Sequence, residues 1–162
     1  MQSQSKKNPV AVLLIGWLIV LGSYLFIRLA FILLGLNLKS EALGVCLAVI
    51  PYLLGVLYLG KYGKSHKTWF YTLGILFPSI VEKIALYFIG AFLCGINPTN
   101  VAGVMEAVVI REPFVNLFTQ QSARYVINIL FFNWTYIVCS IAFSVICVVI
   151  LSKAQKNTEN GR

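Results

Sequence analysis

The chain has 162 residues, 59% of them hydrophobic and only 11% charged, and its mean hydropathy is +0.86. A soluble domain of this length carries far more charge, so the composition excludes one and points to an all-α, polytopic membrane protein. The net charge of +8 does not indicate nucleic-acid binding, because the basic residues are spread over loops and tails instead of forming a stripe on an ordered surface.

Four apolar segments, 10–36, 42–59, 69–95 and 125–151, are predicted to be transmembrane helices. A hydrocarbon core about 30 Å thick takes roughly 20 helical residues to cross. They make a single transmembrane domain over 1–162. The first segment follows a short basic stretch, but it is longer than the apolar part of a cleaved signal and no small-residue cleavage site closes it. It reads as an uncleaved signal-anchor. With the N-terminus in the cytoplasm, that side holds Lys6, Lys7, Lys61, Lys64, Lys67, Lys153, Lys156 and Arg162, against Lys39, Arg111 and Arg124 on the other. This excess obeys the positive-inside rule. It places both termini in the cytoplasm and the chain in the plasma or cytoplasmic membrane. The ends, Met1–Asn8 and Ser152–Arg162, are polar enough to be expected disordered.

Small residues at helical spacing let membrane helices approach closely where lipid supplies no hydrophobic drive. The first segment repeats Gly16, Ser23 and Ala30, beside a face with Trp17, Tyr24 and Arg28. The second aligns Gly44, Ala48 and Gly55, and Pro51 is expected to kink it. The third carries Gly74, Pro78, Glu82 and Ala85 on one face and Ser79, Lys83, Tyr87 and Gly90 on the next. In the fourth, Asn133, Tyr136, Ser140, Ser144 and Cys147 form one polar stripe. That stripe has two readings, interhelical hydrogen bonding or one wall of a solute pathway.

Between the third and fourth spans, segment 97–123 is too short to cross. Asn97-Pro98-Thr99-Asn100 ends one helix and caps another, whose apolar face is Val101, Val104, Met105, Val108 and Val109. A further short turn is expected at 114–118, and the whole segment is read as interfacial or re-entrant on the outer side. It is read either as a helix that merely caps the bundle or, functionally, as a lid or docking surface for a partner.

Charge within a bilayer needs a partner or a water-filled cavity. Glu82 lies about 13 residues, or ~20 Å, along the third helix, at a depth close to that of Arg28 in the first, which predicts an Arg28–Glu82 bridge. Lys83 stands ~100° round the helix from Glu82, so the two are not expected to pair closely, and Lys83 is expected to snorkel outward or meet Tyr87. Arg28, Glu82 and Lys83 form the candidate intramembrane charge site, read either as an ion pair that fixes helix register or as an ion-coupled binding site. Catalytic, metal and cofactor readings fail on inventory. The one histidine, His66, has no Asp, Glu, Cys or second His near it in its loop, and Glu106 and Glu112 fall on different helix faces. Cys46 and Cys94 both lie near outer helix ends, where a disulfide is conceivable. The expected function is therefore non-catalytic: a subunit, assembly factor or immunity-type partner of a membrane complex that works through helix contacts. The expected partners are the lipid bilayer and another membrane protein or, as an oligomer, the chain itself. The alternative is a small oligomeric transporter or channel using the three charges.

Overall fold

The structure, a computed structural model, describes residues 8–36, 41–63, 68–110, 128 and 130–160. It is all-helical, with four helices long and apolar enough to cross a membrane and a short helix between the third and fourth. We number them α1 (Pro9–Leu33), α2 (Glu41–Tyr62), α3 (Thr68–Cys94), α4 (Val101–Ile110) and α5 (Trp134–Asn160). The expected segment at 114–118 and the loop histidine His66 lie outside the described residues.

The helix ends follow local chemistry. Asn8 accepts from the Val10 N–H through its side chain, and Pro9 opens α1 where a missing N–H costs nothing. Gly35 and Gly95, at φ of 63° and 66°, close α1 and α3 in the left-handed conformation. The Leu36 and Ile96 N–H groups then donate back to Phe31 and Ala91, which satisfies carbonyls that the helix leaves open. Asn100 caps α4 by accepting from the Gly103 N–H. Val104, Met105 and Val108 bury the inner face of α4, and a methyl at Gly90 of α3 would stand 2.8 Å from Val108.

Contacts fix the directions of the spans. Gly16 meets Leu59, Gly55 meets Val20, and Tyr24 meets Tyr52, so α1 and α2 are antiparallel. Gly44 meets Phe131, Tyr52 meets Phe143 and Gly60 meets Leu151, so α2 and α5 run the same way. Leu59, in the last turn of α2, is a knob fully buried between Gly16 of α1 and Gly74 of α3. The packed face of α1 is Val12, Gly16, Val20, Tyr24, Ile27 and Arg28. Of the expected Gly16, Ser23 and Ala30 only Gly16 is buried, and most of the face follows the i, i+4 ridge, which winds slowly round the helix.

Two expectations about α5 are corrected. It starts at Trp134 instead of Tyr125 and runs on through Asn160. Phe131 sits at φ 43°, in the left-handed region, which interrupts the chain before the span. Asn133 then caps the new helix, its side chain accepting from the Tyr136 N–H at 2.7 Å. Ser152–Asn160 continues the helix, where disorder was expected. The cysteines Cys46 and Cys94 are free thiols.

The one irregular span has a clear cause. Thr72–Leu76 in α3 is a π-helical turn, in which the Phe77 N–H reaches back to the Thr72 carbonyl. The next donor in that wider pattern would be residue 78, but Pro78 has no N–H and its ring would crowd the preceding turn of a regular α-helix. The Leu73 carbonyl therefore takes its hydrogen bond from another helix: the Trp17 indole N–H donates to it at 2.7 Å. The Trp17 ring also packs on Phe77 with centroids 4.9 Å apart.

This arrangement predicts coupling. Trp17→Phe strands a half-buried carbonyl and should cost about 1–3 kcal/mol. Pro78→Ala restores an N–H to α3, so Trp17→Phe should cost measurably less in a Pro78→Ala background. Thermal melts in detergent of the two single variants and the pair check this; additive effects would show that the bulge and the indole are independent.

Candidate functional site

Four helices converge on one polar cluster. α1 supplies Tyr24 and Arg28, one turn apart on its packed face; α2 supplies Tyr52, the residue after Pro51; α3 supplies Ser79, Glu82 and Lys83; and α5 supplies Tyr136. Arg28, Glu82 and Lys83 are 6%, 7% and 6% exposed. A charge removed from water this thoroughly loses several kcal/mol of hydration, so the cluster must replace it with partners.

Glu82 is the shared acceptor. Arg28 Nη2 donates to its Oε1 at 2.7 Å, and Lys83 Nζ lies 2.9 Å from its Oε2. The Tyr136 hydroxyl is 3.1 and 3.2 Å from the two oxygens. Arg28 Nη2 also reaches the Leu130 carbonyl at 3.2 Å, which ties α1 to the chain just before α5. The structure thus brings Arg28 and Glu82 together across helices one and three, as their matched depths predict.

Lys83 behaves differently from the sequence expectation. It neither snorkels nor meets Tyr87, whose hydroxyl instead donates to the Pro98 carbonyl. Its ammonium turns inward to the hydroxyls of Tyr24 and Tyr52, each at 3.2 Å, and of Tyr136 at 3.3 Å. The same nitrogen stands 4.5, 5.0 and 5.8 Å from the ring centroids of Tyr136, Tyr24 and Tyr52, a three-sided aromatic cage. Neighbours along a helix do diverge by ~100° at the backbone. The long Glu and Lys side chains bend that divergence out, because the partners from α1, α2 and α5 all lie on one side of α3. A chain of hydroxyls completes the cage, Tyr24 donating to Tyr52 and Tyr52 paired with Ser79.

The polar stripe of α5 splits. Tyr136 enters the cluster and Asn133 caps the helix, whereas Ser140 and Ser144, both fully buried, donate to the Ile137 and Ile141 carbonyls of their own helix. Their contribution is small size at a crowded face instead of the expected bonds between helices. Tyr52 was not singled out in the sequence; its only signal was a hydroxyl in an otherwise apolar stretch. Chemically, the cluster holds two cations and one carboxylate, a formal excess of one positive charge. Among the described residues, no group of three His, Cys, Asp or Glu side chains is placed to hold a metal ion.

The charge count sets an order of damage. Glu82→Gln leaves two buried cations unopposed and should cost most, about 3–5 kcal/mol by analogy with soluble interiors. Arg28→Gln leaves a Lys83–Glu82 pair and should cost less. Lys83→Met leaves a neutral Arg28–Glu82 pair and should cost least. The double variant Arg28→Gln, Glu82→Gln should recover part of the Glu82→Gln loss. Melting in detergent reads all four, and Lys83→Met proving the most damaging would refute this account.

Comparison with known proteins returns no counterpart: no protein-family model, no curated protein and no solved structure matches the chain.

Proposed function

We propose that the chain is a non-catalytic subunit, assembly factor or immunity-type partner of a membrane complex, acting through helix contacts in the cell membrane with both termini in the cytoplasm. The observation that carries this reading is the closure of the central cluster. Arg28, Glu82, Lys83 and three tyrosines bond one another and the backbone, which leaves the bundle a rigid body with apolar outer faces. Its broad apolar exposure includes Leu18, Phe26, Leu57 and Phe92, surface that suits lipid or another membrane helix. The lysine and arginine asymmetry supports the orientation.

A second reading, a small oligomeric transporter, draws support from the unbalanced positive charge of the cluster, since intramembrane charge is a hallmark of solute and proton pathways. Purification in mild detergent separates the two. A reproducible stoichiometric hetero-partner is expected; a homo-oligomer alone would overturn the first reading in favour of the second. Reporter fusions near Lys64 should be cytoplasmic and those near Glu106 external, and the reverse would overturn the topology.

A further inference from the structure

Beside the cluster, and sharing only Tyr136 with it among the described residues, a recess of about 320 Å³ lies between the start of α2 and the first turns of α5. The irregular chain before α5 shapes it. Phe131, in its left-handed conformation, turns its ring against Gly44, where a methyl would stand 2.3 Å from the ring. The Phe131 and Tyr136 rings meet edge to face, with centroids 6.2 Å apart. Val45, Ala48 and Cys139 make the rest of the wall largely apolar, with Asn133 and Thr135 its neutral polar members. The volume falls in the range of small-molecule sites.

Charge gives the recess a direction. Among the described residues, the one ionised side chain in its lining is Glu41, exposed at the first residue of α2. Tyr136 closes the far side, its hydroxyl spent on Glu82 and Lys83. Behind it stands the cluster's excess positive charge. A ligand cation is thus drawn to the Glu41 end and repelled from the Tyr136 end. An anion would meet the Glu41 carboxylate, or leave its charge beside Val45, Ala48 and Cys139 with neutral Asn133 and Thr135 as its polar neighbours, and neither offers it a cation. The Phe131 ring, packed at Gly44 one turn from Glu41, adds a surface that attracts cations.

We propose that this recess binds an amphiphilic organic cation, an amine or quaternary ammonium, with its head at Glu41 and its apolar body along Val45, Ala48 and Cys139. The site stands whether the chain acts as a subunit or as a transporter. The test uses the purified full chain and three water-soluble probes of one shape class: benzyltrimethylammonium, benzyl alcohol and phenylacetate. Ligand-detected NMR with titration should show saturable binding of the ammonium, weaker binding of the alcohol and none of the carboxylate. Because Glu41 is exposed, Glu41→Gln should fold normally and weaken ammonium binding about tenfold, the equivalent of ~1.4 kcal/mol. Ala48→Phe, which fills the recess, should abolish it. Three results would overturn the proposal: no saturable ammonium binding, equal or tighter binding of benzyl alcohol or phenylacetate, or full ammonium affinity in Glu41→Gln.

Discussion

A carboxylate buried in a membrane bundle has to be resolvated by protein, and the way Glu82 meets that demand organises everything around it. One oxygen takes the guanidinium of α1, the other the ammonium of its own helix, and both take the phenol of α5. Each of these donors has a second duty. Arg28 reaches the Leu130 carbonyl, and Lys83 gathers Tyr24, Tyr52 and Tyr136. The ammonium has three N–H groups for four acceptors, so the cage shares them, and no pair in it can be removed without loosening the others. Register between four helices follows from one side chain.

Close packing supplies the affinity that this register directs. Leu59 fits a hollow between Gly16 and Gly74, and Val20 fits one at Gly55. Such hollows exist only where the helices are correctly offset, and the cluster sets the offset. The π turn is the third part of the same device. It widens α3 just before Pro78, and the indole of Trp17 makes good the donor that the proline lacks. Without that indole, α3 would have a polar gap facing α1 between two and three turns from the charge cluster.

The four spans were legible in the sequence because length and hydropathy are properties of the chain alone. So was the Arg28–Glu82 pair, since two helices running the same way bring residues of equal depth together. The rest depended on facts no single segment carries. The start of α5 was hidden because Phe131 and Phe132 keep the apolar run unbroken, although Asn133 is a good cap that could have marked it. The inward turn of Lys83 depended on tyrosines from three other helices. Ser140 and Ser144 look like cross-helix donors by composition, yet which carbonyl a hydroxyl chooses is settled by local geometry. Pro78 was a visible sign of the irregular turn, but not of the partner that would complete it.

The late start of α5 also bears on the lipid around the protein. From Trp134 to Leu151 its apolar part covers about 27 Å at 1.5 Å per residue, while α1 covers about 37 Å from Pro9 to Leu33. A bundle with one short side and one long side cannot match a bilayer of uniform thickness while standing upright. Either α1 leans, or the bilayer thins beside α5, and each carries a modest cost per ångström of mismatch. The same break that shapes the chain before α5 thus sets how far α1 must lean or how far the bilayer must thin.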